Sequence, residues 1–292
     1  MSIDHDPGEN PEASLLRNLR SGFATLLVSV LVGWWLIYPD DRPSRTGGAD
    51  APLRIGYAIE PPYAFLDVHG QLRGESIDVL RYVLHQEHID HVVWLHVEFA
   101  DLLHELKHDR IDIVAAGMFA TPERLREAHF SRPTARVRAA MLVRDSVDTS
   151  SQLKDLVRHP THRVAVLDGS VEQITLQAAG WPNDRIHAYS DADAAMDALE
   201  GERVDMLALS LPSLRWQVQQ RMLADRYRIV ELAEVPLGYP AFAVAQRDQK
   251  RLDQIDRVLN NYIGSPAHVQ SVQSYGFEWS DVVWPLGAEA SR

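Results

Sequence analysis

From residue 53 onward, short apolar runs with strand character alternate with segments whose apolar positions recur at helical spacing. LRIGYA at 53–58 is strand-like, SIDVLRYVLH at 76–85 has a helical stripe, HVVWLHV at 91–97 is β-rich, 99–106 is helical again, and IDIVAAG at 111–117 is a strand of the buried kind. This βαβαβ order requires crossover helices and predicts a mostly parallel sheet. RVRAAMLVRD at 136–145 is an extended run long enough to leave that sheet. A second alternating set comes next: strands at 162–169, 185–190 and 204–210, and helices from Ser170, over 191–200 and after 210. YPAFAVAQ at 239–246 is another extended run, followed by helices over 249–263 and 266–274. The pattern predicts an α/β protein of two mixed lobes joined by two extended crossings. Lobe 1 takes 53–140 plus 238–280, and lobe 2 takes 141–237.

The N-terminal part reads differently. After a polar tail over 1–20, Ser21 to Pro39 runs 19 residues without a charge, long enough to cross a bilayer. Trp34, Trp35 and Tyr38 stand at its far end, where amphipathic rings favour the headgroup layer, and Arg17 and Arg20 flank the near end. The polar stretch before it carries Asp4, Asp6, Glu9 and Glu12, and no clear small-x-small cleavage site follows. One uncleaved transmembrane anchor over 21–39 is therefore expected, with a cleaved signal peptide as the rival. Arg42 and Arg45 balance Arg17 and Arg20, so charge leaves the orientation open. Residues 40–52, rich in Pro, Asp, Gly and Arg without apolar period, read as a tether.

Composition narrows the function classes. Forty-one acidic against 29 basic residues give a net charge of −12, which opposes nucleic-acid binding, because neutralising phosphates needs a clustered basic surface. The absence of cysteine removes disulfides, thiolate metal sites, thiol nucleophiles and a lipoprotein anchor.

An ordered set of motifs then carries a resemblance. PPY at 61–63, DxxGxxxGxxxD from Asp67 to Asp78, DIxxxG from Asp112 to Gly117, TPER at 121–124 and FS at 130–131 occur in sequence, followed by RVAVLDGS and GERVDML. Over about 53–280 the chain resembles the extracellular solute-binding proteins of polar amino-acid ABC uptake systems. The resemblance implies a two-lobed periplasmic-binding-protein fold of type 2, a small amino-acid or carboxylate ligand in the cleft, an ABC permease as membrane partner, and no cofactor. A folded domain in the periplasm, tethered to the inner membrane, is the matching location.

The residues themselves favour an anion site at TPER. Thr121 is a good N-cap and Pro122 a good first helical residue, so a helix is expected to begin there with free N–H groups. Arg124 in its first turn offers a planar fork suited to a carboxylate, and the resemblance assigns it the ligand carboxylate. The competing reading is an ordinary surface helix with Arg124 paired to an acid. Gly169 and Ser170 open the next lobe's helix and offer further N–H groups, unless Ser170 and Gln173 merely form a capping box. Tyr63 in PPY and Gly117 in DIxxxG match cleft positions of the family, although Tyr63 is equally an aromatic core residue.

Three positions depart from the family's pattern. The carboxylate that usually holds a ligand amino group falls at Ser210, which carries no charge. Glu60 stands where an aromatic cover is common, and is either an exposed loop acid or a replacement counter-charge for an amine. Phe119 replaces a commonly small polar residue and makes that wall more apolar.

Two enzyme readings compete. His104-Glu105-Leu106-Lys107-His108 is a literal H-E-x-x-H, to which Glu127 adds a conceivable third ligand, but Lys107 puts a cation inside the motif and the helix is short. No metal site is expected, and His85, His88 and His91 read as solvated. Glu172 lies near the position of the acid in cyclohexadienyl or arogenate dehydratases, which share this fold, although the helix dipole favours a glutamate there anyway. A ligand-sensing subunit acting through a separate partner protein is a further alternative, since the chain stops soon after its last helices.

Overall fold

The computed structural model describes residues 51–146 and 152–283. The expected anchor over 21–39 and most of the tether lie outside these residues. Among the described residues, no helix is long and apolar enough to cross a membrane.

The first lobe begins with β1 (Leu53–Tyr57), which buries Leu53, Ile55 and Gly56 and leaves Arg54 and Tyr57 half-buried. A small hairpin, β2 (Phe65–Leu66) and β3 (Leu72–Arg73), leads into α1 (Glu75–Gln86). Then come β4 (Val92–His96), α2 (Leu102–Lys107), β5 (Ile113–Val114) and β6 (Ala128–Phe130). The second lobe holds β7 (Ala139–Arg144), α3 (Leu153–Arg158), β8 (Val164–Leu167), α4 (Val171–Ala178), β9 (Ile186–Tyr189) and α5 (Ala192–Glu200). It closes with β10 (Met206–Ser210), α6 (Leu211–Gln220) and β11 (Tyr227–Glu231). The chain then returns to the first lobe with β12 (Ala243–Ala245), α7 (Gln249–Tyr262), α8 (Pro266–Gln273) and α9 (Trp279–Val282).

Two five-stranded sheets result, ordered β4-β1-β5-β12-β6 and β11-β7-β10-β8-β9. Both are mixed, which corrects the mostly parallel expectation for the first. β1 runs parallel to β4 and β5, but β12, entering from the other lobe, pairs antiparallel with both β5 and β6. In the second sheet β7 lies antiparallel between β10 and β11, while β8 pairs in parallel with β9 and β10. The antiparallel pairs arise where the chain changes lobes, because strands entering from the far lobe need no crossover helix and so escape the parallel rule. The two crossings run side by side, bridged at Val137 and Gly238.

β8 and β10 are buried at every position, as strands covered on both faces must be. Each lobe has its own apolar cluster. One clusters Ile55, Ile77 and Leu80 with Phe242 and Leu259, and another gathers Met141, Val166 and Trp181. A third spans the divide, packing Leu102 and Met118 from one side with Leu167 and Leu209 from the other. β2, β3, β6, β11, α3 and α9 are too short or too weakly patterned to read from spacing.

Candidate functional site

The residues singled out in the sequence converge where the lobes meet. Glu60 follows β1 in a tight turn: its N–H donates to Ala64 O at 2.9 Å, and its carbonyl accepts from Tyr63 N–H at 2.9 Å. This turn faces the carboxyl end of β1, the end of a sheet strand at which α/β proteins place ligands. Glu60 is 7% exposed, so the exposed-loop reading of this acid does not hold.

Tyr63 is both core residue and cleft residue. It is fully buried, packs edge-on to Phe277 at 5.5 Å, and donates from its hydroxyl to Ser210 Oγ at 3.1 Å in the opposite lobe. Ser210 ends β10 and caps α6: its Oγ accepts from Ser213 N–H at 3.3 Å and lies 2.9 Å from Ser213 Oγ. Gly117 takes φ 64°, and a Cβ there would stand 2.3 Å from the Tyr63 ring. The glycine makes room for the ring, and its N–H donates to Ser76 Oγ at 3.1 Å.

The TPER segment does not open the expected α-helix. Thr121 Oγ1 does accept from Arg124 N–H at 3.3 Å, as an N-cap would, but the segment continues only as a single 3₁₀ turn, Arg124–Arg126. β6 begins at Ala128, so the chain has no length left to propagate a helix. The macrodipole part of the anion-site argument therefore falls away, and the guanidinium remains. Arg124 is 9% exposed, against the expectation for a surface helix. It donates from one terminal nitrogen to Phe119 O at 2.9 Å and from the other to Gly169 O at 2.9 Å, one carbonyl from each lobe. Phe99 lies beneath it, with the guanidinium carbon 5.6 Å from the ring centroid. Phe119 contributes its carbonyl here, while its ring packs over Gly238 at the crossing.

The second lobe answers with Gly169, Ser170 and Glu172. Gly169 lies at φ 71°, and a Cβ there would come within 3.2 Å of the Ala100 backbone, so the lobes approach closely at this point. The Gly169 and Ser170 N–H groups are not free: they donate to Gln173 Oε1 at 2.8 Å and to Leu167 O at 3.1 Å. Ser170 Oγ in turn accepts from Gln173 N–H at 3.2 Å. Half of the capping box forms: Ser170 caps α4 through Gln173 N–H, while the Gln173 side chain accepts from Gly169 rather than from Ser170, and each N–H group at this buried helix start finds a partner within the fold.

Glu172, in the first turn of α4, is 8% exposed. Burial pushes its carboxyl above the ordinary range, opposed by its own N–H, by Arg124 and by Ser170. Burial, then repulsion from Glu172, pushes Glu60 well up, opposed by Arg124 and by a hydrogen bond to Ser213. Burial also works against the Arg124 charge, which Glu172 and Glu60 support. Two carboxyl groups and one guanidinium thus share a cleft from which water is largely removed, where such interactions are strong. Neither Glu172 nor Ser213 was legible as a counterpart of Glu60, because the first lies 112 residues and the second 153 residues away along the chain, by their numbering.

The H-E-x-x-H residues border a cavity of about 300 Å³ lined by Phe99, His104, Lys107, His108, Arg124 and Glu127 among others. The rings of His104 and His108 lie 4.1 Å apart, tilted by 38°, but the Nδ1 of His108 is 2.8 Å from His104 O and Arg110 binds the Glu105 carboxylate. Among the described residues, no group of three or more ligating side chains is arranged to hold a metal ion.

Comparison with known proteins bears on the family and the fold. A probable amino-acid ABC transporter periplasmic-binding protein of Sinorhizobium fredii is 28% identical over 238 residues, covering 77% of each chain. A probable histidine-binding protein of Campylobacter jejuni is 22% identical over 243 residues, 80% of this chain and 89% of its own. The solved structure of EhuB in complex with hydroxyectoine superposes with a TM-score of 0.72 at 23% identity, over 79% of this chain and 90% of that one, which supports the two-lobed fold. The family model of the bacterial extracellular solute-binding proteins, family 3, matches residues 53–276, and the chain belongs to that family.

Proposed function

We propose that this protein is the periplasmic receptor of an ABC-type uptake system, taking a small amino-acid-like or other carboxylate ligand between its lobes and presenting it to a membrane permease. The observation that carries the reading is the buried Arg124, whose guanidinium reaches a carbonyl of each lobe. A guanidinium has five N–H donors, so these two bonds fix its plane and leave donors for a ligand carboxylate. Thr121 holds the Arg124 backbone, and Phe119 and Gly169 hold its side chain. Glu60, Tyr63 and Gly117 belong to the first lobe and Ser170, Ser210 and Glu172 to the second, all of them buried, and this reading takes them as the two walls of the ligand site. Closure of two lobes around a ligand is the hinge motion such architectures perform.

Calorimetric titration of the full chain with amino acids and small carboxylates tests this reading. At least one is expected to bind without turnover, and Arg124→Ala is expected to weaken it by about 30-fold or more, as truncating a desolvated charged hydrogen bond does. Unchanged affinity overturns the role of Arg124, and the absence of binding by every member of the set overturns the receptor. The uncharged run 21–39 supports tethering to the inner membrane. Recovery of the mature protein in the soluble periplasmic fraction would refute the tether.

A second reading rests on Glu172, a buried carboxyl biased toward its protonated form beside Arg124. Such an acid is what a dehydratase-like elimination needs to protonate a departing hydroxyl. Incubation with prephenate or arogenate decides it: product formed by the parent chain and lost in Glu172→Gln supports the enzyme, and no product from the parent chain removes it.

A further inference from the structure

One helix ties the lobes together beyond the candidate site. α6 belongs to the second lobe, and Ser210 at its cap, Ser213 and Trp216 follow one another at intervals of three along one side of it. All three meet the first lobe. Ser210 Oγ accepts from the Tyr63 hydroxyl at 3.1 Å, and the Ser213 hydroxyl bonds the Glu60 carboxyl. Trp216 carries the row past the site: its ring packs against Phe65 of β2 at 4.7 Å and lies 6.2 Å from Tyr275, which follows α8. Phe65 and Tyr275 meet each other edge-on at 5.9 Å, and the Tyr275 hydroxyl donates to Asp78, so Trp216 enters a socket built by the first lobe. Beside it, Arg215 reaches Glu278 Oε1 at 2.9 Å and Asp281 Oδ2 at 3.4 Å. Both acids stand at the start of α9, which is held in the first lobe through the buried Val282.

We propose that this side of α6 is a clasp that favours the closed arrangement of the lobes, which makes Trp216 and Arg215 positioning residues for binding although neither belongs to the ligand site. The proposal rests on the receptor reading, because hinge closure is the step that the clasp assists. A helix moves as one body. At a rise of about 1.5 Å per residue, Trp216 stands about 9 Å along the axis from Ser210, so a rotation that parts Ser210 from Tyr63 also draws Trp216 from its socket. Withdrawal exposes the indole and two first-lobe rings to water, which opposes opening. The ion pairs of Arg215 add less, because Glu278 is 60% exposed and water screens it. The clasp reads no ligand: it shifts the closing equilibrium, and so scales affinity without altering preference.

Arginine labelling of the full chain with phenylglyoxal, followed peptide by peptide by mass spectrometry, tests the proposal and needs no ligand. Arg124, buried between the lobes, reacts when they part, whereas Arg163, held to Asp205 at 3.3 Å within the second lobe, reports on the folding of that lobe. Trp216→Leu and, from the other side, Phe65→Leu are each expected to speed Arg124 labelling about tenfold, with Arg163 unchanged. The double variant is expected to be no faster than either alone, because both remove one contact. Arg215→Gln is expected to speed labelling about threefold. Spin labels at Gln86→Cys and Asn183→Cys, exposed positions of the two lobes in a chain without native cysteine, are expected to move toward longer separations in Trp216→Leu. Arg124 labelling and label separations both unchanged from the parent overturn the clasp. So does Arg163 labelling that rises in step with Arg124, the mark of unfolding rather than opening, or full summing of the two single effects in the double variant. The calorimetric titration judges the receptor separately. Binding there with no clasp effect leaves the receptor standing and removes the clasp, while a clasp effect with no binding keeps the clasp and removes the receptor.

Discussion

Replacing Gly117 by alanine measures how firmly the cleft floor is packed. Gly117 lies at φ 64°, and its would-be Cβ meets the Tyr63 ring at 2.3 Å. Left-handed backbone costs a residue with a side chain roughly 1–2 kcal/mol, and overfilling a packed site about 1–3 kcal/mol more. The sum is roughly 2–5 kcal/mol. The ring cannot retreat freely, because it is buried against Phe277 and tied through its hydroxyl to Ser210 across the cleft. Gly180 separates the two costs: it lies at φ 87°, with nothing within 4 Å of its would-be Cβ. Gly180→Ala should therefore lose only the backbone part, roughly 1–2 kcal/mol. Urea denaturation of both variants and the parent, followed by tryptophan fluorescence, supplies the comparison. A Gly117→Ala variant no less stable than Gly180→Ala would refute the account of Tyr63 as a locked ring.

Groups around the cleft make further behaviour measurable. Burial pushes the Glu75 carboxyl up from 4.5 to about 7, so the folded protein retains a proton that the unfolded chain has released. Stability from this group is complete below about pH 4.5 and lost as the pH rises to about 7, a loss of about 3 kcal/mol. Glu75→Gln should therefore gain in urea midpoint over the parent at about pH 8 but not at about pH 4, and a pH-independent difference would refute it. Tyr63→Phe removes one cross-lobe hydrogen bond, worth about 1 kcal/mol, and should weaken ligand binding about fivefold with little change in fold; unaltered affinity would mean that this bond plays no part in closure. Zinc or EDTA should leave the melting temperature unchanged, since Glu105 is held by Arg110 and His108 by a backbone carbonyl; a rise of several degrees with zinc would restore the metal reading.

The alternation of apolar rhythms foretold β1, β4, β8, β9 and β10, because these strands run four or five residues and lie in a buried sheet or its edge. β6 and β11 escaped because three residues leave no period to read, and YRIVE resembles any half-exposed run. At TPER the capping residues were legible and their consequence was not. Thr121 caps its turn as its chemistry dictates, but the nearby start of β6 ends the helix before it forms. Likewise Ser170 and Gln173 formed the local cap their spacing allows, and the N–H groups of Gly169 and Ser170 that a ligand would have needed went to Gln173 Oε1 and to Leu167 O.

Local order and residue type were thus written in the chain: the α/β alternation, the caps, and Arg124 as a group able to fork a carboxylate. Those properties depend on neighbours a few residues apart, which a sequence displays directly. Partnership across the cleft was decided only by the tertiary structure. Glu60 reads as a loop acid until the fold buries it opposite Glu172, and Tyr63 reads as core until its hydroxyl meets Ser210 in the other lobe. Burial is a property of everything packed around a group, and it is the chief cause that lifts the carboxyls of these two glutamates above their ordinary range.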